Sequence, residues 1–190
     1  MKRIVLTICL ALFLSSCAAE VPRYTDLRPA LPERISRQYA EDGGGFTISG
    51  QDARPAADVV TFALGNDPVI RLTNRPAPAE LLADLLSLGW QKQGLIAYPT
   101  APTRLTVIVD TLLVEVTKPK ALFKTVTKTK IRLLAEKQTT TLTRSFSRES
   151  NDETLRRPEL PALEKGLNDQ LTEIIAQILA DPEIRAVINK

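Results

Sequence analysis

Hydrophobic and polar residues alternate along several stretches of the chain from residue 46 onward, and this alternation predicts β-strands. The first stretch, residues 46–50, ends at Asp52-Ala53-Arg54-Pro55, a sequence typical of a turn. Short strands are also predicted at residues 69–72 and 91–97, with Trp90 packed where the second of these begins.

Residues 104–147 are predicted to be β-structure throughout. The apolar residues are odd-numbered up to Val109 and even-numbered from Leu112, which indicates either a bulge near Asp110-Thr111 or burial on both faces, in a central strand. Threonine-rich segments then predict the two arms of an antiparallel hairpin, at residues 121–134 and 139–147.

Helices are predicted on either side of this β-region. The first would be capped by Thr73 or Asn74, would end at Gly89, and has four leucines on one side: Leu81, Leu82, Leu85 and Leu88. A long helix after Pro158 carries one apolar stripe: Leu160, Leu163, Leu167, Leu171, Ile174, Ile175 and Ile178. Asp181 is a predicted N-cap for a short final helix. These elements predict an α+β fold, an antiparallel or mixed sheet covered on one face by two helices.

The first 16 residues have the features of a signal peptide. Lys2 and Arg3 precede an apolar stretch, residues 4–14, that is too short to span a bilayer. Leu14-Ser15-Ser16-Cys17 resembles a bacterial lipobox, so we expect cleavage before Cys17 and fatty acylation of that cysteine. Ala18 replaces the aspartate that resembles an inner-membrane retention signal, which predicts attachment to the outer membrane, facing the periplasm.

Residues 17–45 are predicted to be the lipidated N-terminus and a flexible tether, and residues 46–190 a single periplasmic domain. Prolines are scattered through the tether, which ends in Gly43-Gly44-Gly45 and shows no apolar period except a possible short helix at residues 35–39. Flexible chain of this length has a root-mean-square span of roughly 30 Å. The domain would then stand clear of the lipid headgroups.

Composition limits the function classes. The net charge of +3 falls to +1 once Lys2 and Arg3 leave with the signal peptide, so nucleic acid is not an expected partner. Cys9 would leave too, and a single remaining cysteine rules out an internal disulfide. The chain has no histidine, the usual general base and the commonest transition-metal ligand, and no phosphate-binding or dinucleotide motif, so no metal and no cofactor are predicted.

Few residues are candidates for catalysis. Asp110 and Glu115 would lie on opposite faces of a regularly pleated strand, whereas paired-carboxylate chemistry needs convergence. Ser145 or Ser147 beside Lys124 or Lys128 is an alternative nucleophile arrangement. We therefore predict a protein that is not an enzyme.

A row of cations on the predicted hairpin is the candidate binding surface. Even-numbered residues share one strand face, and the neighbouring strand extends the row. The surface comprises Lys120, Lys124, Lys128, Lys130, Arg132, Arg144 and Arg148. One interpretation is a solvated face whose lysines discourage edge pairing. The other is a docking surface for anionic headgroups, a cell-wall polymer or an acidic protein.

The order of these elements resembles the YajG family of bacterial lipoproteins. The resemblance rests on the strand leading to Gln51-Asp52-Ala53-Arg54, on Ile70-Arg71-Leu72, on the helix and strand at residues 81–89 and 105–109, and on the final helices ending at Lys190. It implies a lipidated envelope protein and brings no catalytic or binding residues. The long proline-rich tether and the loop at residues 151–158 depart from the family pattern.

Three functions remain open. The first is a non-catalytic envelope lipoprotein that binds a partner or assists an assembly, attached to the membrane by its N-terminal lipid and contacting an envelope protein or an anionic envelope polymer. The second is a lipid-handling or transport-accessory lipoprotein, which needs an apolar groove between the hairpin and the long helix. The third, a hydrolase, needs convergent carboxylates or a Ser–Lys contact.

Overall fold

The alternating segments form one mixed eight-stranded sheet, seen in a computed structural model that describes residues 24–39 and 44–189. The strands are β1 (Tyr24–Thr25), β2 (Gly45–Asp52), β3 (Asp58–Ala63), β4 (Ile70–Asn74), β5 (Ile96–Ala97), β6 (Thr103–Thr117), β7 (Phe123–Lys137) and β8 (Thr140–Thr154). The helices are α1 (Pro78–Lys92), α2 (Leu160–Ala180) and α3 (Pro182–Ile188). The predicted α+β fold is confirmed.

Three antiparallel strands of 15 residues each, β6, β7 and β8, form one side of the sheet, with β8 at its edge among the described strands. The other edge of β6 pairs in parallel with two strands in turn, first with β2 over residues 103–109 and then with β3 over residues 114–117. The predicted bulge is confirmed, because the register of β6 against β7 shifts between Val109 and Thr111. The bulge therefore falls where β2 leaves β6 and before β3 joins it.

The helices cover one face of this sheet. On β7 the odd-numbered Thr127, Thr129 and Ile131 are buried on that side, whereas Lys128 and Lys130 are exposed. The predicted apolar stripe of α2 is confirmed, and six of its seven members are fully buried: Leu163, Leu167, Leu171, Ile174, Ile175 and Ile178. Asp181 caps α3 as predicted, its side chain accepting from the backbone N–H groups of Glu183 and Ile184.

Helix α1 differs from the prediction in both its buried face and its end. Leu82, Leu86 and Trp90 are buried, whereas Leu88 is 45% exposed. Gly89 lies inside the helix, where an added Cβ would be 2.6 Å from a Leu179 methyl group, so it permits close packing against α2 rather than ending α1. The chain turns instead at Gly94, whose φ of 109° is the left-handed conformation that favours glycine.

Other predicted elements are wrong in detail. Strand β3 was not predicted, because its short apolar sequence follows a turn and shows too little alternation, although Val60 and Phe62 are buried in it. The strand predicted at residues 91–97 is confined to β5. Strand β8 continues to Thr154, into the predicted loop.

The flexible tether predicted for residues 17–45 is wrong over residues 24–39, which we call the N-terminal strap. Leu27 and Tyr39 are 3% and 6% exposed, and β1 pairs in parallel with β4. No helix forms at residues 35–39. Burial of these apolar side chains outweighs the low regularity of the sequence. Residues 17–23 and 40–43 of the predicted tether lie outside the described residues, as does the predicted signal peptide.

Polar side chains of α2 hold the first half of the strap. The backbone N–H of Asp26 donates to the Glu164 side chain at 2.8 Å, that of Arg28 to Asn168 at 2.8 Å, and that of Ala30 to Thr172 at 2.9 Å. The three acceptors are spaced four residues apart along α2. Two residues of extended chain rise by nearly the same length as one turn of a helix. Every second N–H from Asp26 to Ala30 therefore meets an acceptor on the next turn of α2.

Asn74, predicted as a possible helix cap, instead fastens the strap. Its buried side-chain oxygen accepts from the Thr25 hydroxyl at 3.0 Å and from the Leu27 N–H at 2.9 Å, and its amide donates to the Pro76 carbonyl. Helix α1 starts after Ala77 with no side-chain cap. The strap and the β4–α1 turn therefore share one buried amide.

We expect Asn74→Ala to loosen the strap. Two donors would lose their buried acceptor, and each such loss costs about 1–3 kcal/mol. Hydrogen exchange of the Asp26 to Arg28 amides, followed by mass spectrometry, should accelerate by about 5- to 150-fold while the slowest amides of β6 change little. Ser145→Ala, at an exposed strand position, is the control. Unchanged exchange in the strap would contradict this role for Asn74.

Candidate functional site

Four of the predicted cations share the outer face of the sheet, which we define as the face opposite the helices. Lys124, Lys128, Lys130 and Arg132 alternate on β7 with residues that face the helices, so these four lie on one face, and their role as a binding surface stays a prediction. Lys120 lies before β7, in the turn that connects it to β6, and is exposed. The bulged β6 strand lies on one side of the row and β8 on the other.

Acidic side chains neutralise much of this row. Arg132 donates two hydrogen bonds of 2.6 Å to Asp110, which lowers the pKa of that carboxyl below its usual value. Lys128 Nζ is 3.6 Å from Glu149, and Lys124 lies directly across from Glu153. The outer face of the hairpin is therefore a pattern of alternating charges rather than a uniformly basic patch.

Arg144 and Arg148 do not extend the row. They are paired in register with Leu133 and Thr129, which face the helices, so they lie on the opposite side of the sheet. Arg144 contacts Asp181 and Glu183 at the start of α3, and Arg148 contacts Glu173 of α2, all at 3.0 Å. The prediction was wrong because antiparallel pairing, not residue parity, decides which face a neighbouring strand presents.

The free edge of the hairpin belongs to β8. Among the described strands, β8 pairs with β7 alone, over all 15 of its residues. The lysines lie on β7, between two partner strands, and therefore do not guard an edge as one interpretation required. An exposed strand edge presents unpaired backbone N–H and C=O groups to a partner.

The turn Asp52-Ala53-Arg54-Pro55 closes the gap between β2 and β3. The Arg54 side chain is 4% exposed and donates to both carboxylate oxygens of Asp52, at 2.9 and 2.7 Å. It also donates to the carbonyls of Asp58 and Leu112, at 3.1 and 3.4 Å. Arg54 thus ties β2, β3 and the bulged part of β6 together, and the hydrogen bond from Arg54 lowers the pKa of Asp52. Its role is structural.

The candidate catalytic residues do not converge. The bulge in β6 brings Asp110 and Glu115 to the same face, contrary to the prediction from regular pleating, but Asp110 is held by Arg132 and Glu115 lies roughly 13 Å further along the strand. Ser145 and Ser147 lie opposite Arg132 and Lys130. No Ser–Lys hydrogen bond joins the residues that the structure describes.

The apolar groove that the lipid-handling alternative needs, between the hairpin and α2, is absent from the described structure. Leu167, Leu171 and Ile174 of α2 and Ile131 and Leu133 of β7 have no exposed surface, so this interface is filled. An apolar hollow of about 280 Å³ lies elsewhere, beside the start of α2. It is lined by Phe62, Ile70, Leu72, Arg157, Pro158, Glu159 and Leu160.

Two further properties concern the same described ranges, 24–39 and 44–189. None of their helices combines the length and the apolarity that crossing a bilayer requires. Within them, no group of three or more acidic or cysteine side chains is arranged to hold a metal ion. Cys17, the predicted lipidation site, lies outside the described residues.

Known proteins resemble the chain at the level of family and fold. A family model described as an uncharacterized lipoprotein matches residues 32–189. The crystal structure of a Xanthomonas campestris protein described as DUF330 aligns with a TM-score of 0.54 at 11% identity, covering 82% of this chain and 92% of that one. A putative neuraminyllactose-binding hemagglutinin homolog from Helicobacter pylori aligns with a TM-score of 0.49 at 9% identity, covering 86% and 99%. At these identities the likeness concerns the fold. No curated protein matches the chain.

Proposed function

The chain belongs to the YajG family of lipoproteins, and from this premise we propose that it is a non-catalytic envelope protein that binds a partner protein while anchored to the outer membrane. The anchor is the acylated Cys17, which follows the lipobox-like Leu14-Ser15-Ser16. Ala18 stands where an inner-membrane retention signal would have aspartate, which supports attachment to the periplasmic leaflet of the outer membrane.

The free edge of β8 is the observation that carries this proposal. The edge is 15 residues long, about 45 Å at the usual rise per residue, and only β7 pairs with the strand among the described elements. A partner can add a strand to such an edge, with backbone hydrogen bonds supplying affinity and alternate side chains supplying specificity. We call β8 together with the outer face of β7 the hairpin surface.

The charges of the hairpin surface favour a protein over an anionic polymer. Lysines of β7 lie beside Glu149 and Glu153 of β8. The glutamates would repel a uniformly negative polymer at the positions where the lysines attract it. A protein with both signs of charge can match the pattern. Complementarity of this kind contributes to specificity and to the rate of association more than to affinity.

The lipid-handling alternative has weaker support. Its groove between the hairpin and α2 is filled, and the hollow of about 280 Å³ beside α2 is slightly below the ~300–1,000 Å³ of ordinary small-molecule sites. The hydrolase alternative requires convergent groups that the described serines and carboxylates do not supply.

Photo-crosslinking in cells tests the partner proposal. A photoreactive residue at Ser147, exposed on β8, should give one specific adduct, whereas the same residue at Lys165 on α2 should not. Replacement of Lys124, Lys128 and Lys130 by glutamine should remove the adduct and change the thermal midpoint little, because ion pairs of this kind contribute about 0–1 kcal/mol and glutamine creates no like-charge pair with Glu149 or Glu153. Arg132 is retained to preserve its bond to Asp110.

A matched triple variant controls for net charge. Arg34, Lys92 and Lys165 are exposed on the helix side, and replacing them by glutamine should leave the Ser147 adduct intact. If the two triple variants weaken the adduct equally, or if both probes capture the same proteins, the hairpin surface is not the binding site. Mass spectrometry of the adduct decides whether the partner is a protein.

A further inference from the structure

Three chain segments meet at one end of the sheet, which we call the turn end: residues 64–69, 118–122 and 155–157. Register shows that they are neighbours, because Ala63 pairs with Thr117, Thr117 with Lys124, and Phe123 with Thr154. Paired strands lie about 4.8 Å apart, and three such spacings separate β3 from β8, so these segments lie within roughly 15 Å of one another.

The turn end exposes large apolar side chains. Leu155 is 80% exposed, Val69 44% and Leu122 37%. Single exposed apolar residues are ordinary, but these three occupy adjacent turns. The hollow lined by Phe62, Ile70 and Leu160 opens at the same end.

Cations surround these apolar side chains. The three turns contain four of them, Lys118, Lys120, Arg156 and Arg157, and one acidic residue, Asp67, while Asp152, Glu153 and Glu159 flank the third turn. Lys118 lies over the Phe123 ring at 4.6 Å and Arg157 over the Phe62 ring at 4.5 Å, so both are held at this end. Apolar side chains among lysines and arginines are typical of surfaces that rest in the interface of an anionic membrane.

The N-terminal strap brings the lipid anchor to the same end. Seven peptide steps separate Cys17 from Tyr24, which limits their separation to about 25 Å. Tyr24 is fixed, since it pairs with Thr73 and its ring lies 4.1 Å under the Arg75 guanidinium. The domain is therefore held near the bilayer, whereas a flexible tether would have allowed it to stand well clear.

The direction of β1 also favours the turn end. Because β1 runs parallel to β4, the chain reaches Tyr24 from the side on which β4 begins at Ile70, about 10 Å from Thr73. The opposite end of the sheet, at Thr103, lies roughly 30 Å along β6 in the other direction. A seven-residue connection covers the first distance and falls short of the second.

We propose that the turn end is a membrane-contacting surface, which inserts Leu155, Leu122 and Val69 among anionic lipid headgroups and fixes the orientation of the domain on the bilayer. The inference rests on the acylation of Cys17 in the proposed function. It leaves the β8 edge accessible from the side, where a partner protein in the periplasm can reach it.

Fluorescence of the acylated protein in vesicles tests this orientation. The mature lipoprotein carrying Leu155→Cys is labelled with a polarity-sensitive dye; acylated Cys17 has no free thiol, and Cys9 leaves with the signal peptide. In vesicles of phosphatidylethanolamine and phosphatidylglycerol, the dye should shift to the blue and be quenched by nitroxide lipids. Ile96→Cys, 55% exposed at the opposite end, is the matched control and should be neither shifted nor quenched.

Charge reversal supplies a second measurement. Each cation near an anionic surface changes the contact equilibrium about fivefold, so losing the charges of Lys118, Lys120 and Arg156 alone lowers it by about a hundredfold. Reversing the three to glutamate adds repulsion, so it should lower the equilibrium further and abolish quenching at position 155. Arg157 is retained for its contact with Phe62. The same variant should still float with vesicles, because the acyl chains hold it there.

The outcomes separate this inference from its premise. A protein that does not float and shows no acyl mass on its N-terminal peptide would overturn both the lipid anchor and the orientation. A protein that floats, but whose probe at position 155 is quenched no more than the probe at position 96, would overturn the orientation alone. Quenching that survives charge reversal would overturn the role of the cations.

Discussion

Leu171→Ala is expected to destabilise the domain by about 2–5 kcal/mol. Leu171 has no exposed surface and lies in the middle of α2, between the helices and the sheet. Its truncation removes apolar contacts and leaves a cavity that neighbouring side chains refill only partly. Urea unfolding followed by circular dichroism should show a lower midpoint with an unchanged slope.

Leu88→Ala is the informative control for Leu171. The leucine pattern places Leu88 on the buried side of α1, but the structure leaves it 45% exposed. We expect a loss of about 1 kcal/mol or less. Similar losses in the two variants would mean that the orientation of α1 or α2 is not the one described.

Gly50→Ala is expected to cost about 3 kcal/mol or more, at the upper end for overpacking. A Cβ at this position of β2 would be 2.2 Å from the Ala79 carbonyl oxygen, a backbone atom in the first turn of α1 that cannot rotate away. The helix would have to move off the strand, losing contacts along its length. Thermal and urea unfolding of both proteins measure the difference.

Gly166→Ala is the control for Gly50→Ala, and it is expected to raise the stability of the domain instead of lowering it. Gly166 lies in α2 with no atom near the position of an added Cβ, so alanine should stabilise the helix by about 0.5–1 kcal/mol. A Gly50 variant as stable as the original protein would contradict the close contact between β2 and α1.

Much of the fold was predictable because its signals are local. The period of α2, the Asp181 cap and the change of apolar parity at Asp110 each depend on residues adjacent in sequence or one helical turn apart. The outward direction of Lys128 and Lys130 follows from the same alternation along one strand.

The candidate site depended on contacts between residues far apart in sequence, which the alternation of hydrophobic and polar residues does not reveal. Arg144 and Arg148 have the right residue type and parity, but pairing of β8 with β7 turned them toward acidic residues on α2 and α3. Gly89 resembled a helix stop, yet its missing side chain serves the approach of a second helix. The acidic residues that pair with the arginines, and the helix that packs on Gly89, are distant in sequence and could not be identified from the pattern.

The sequence by itself determined the α+β class, the strand and helix periods, and the signals for a lipid anchor at Cys17, because each of these depends on nearby residues. Only the tertiary structure decided that residues 24–39 pack as a strap, that Asp110 and Glu149 neutralise much of the basic row, and that β8 pairs with β7 alone among the described strands. The strap shows the reason most clearly. Its buried Leu27 is stabilised by Asn74 and α2, which lie far along the chain, and such burial leaves no periodic signal in the segment itself.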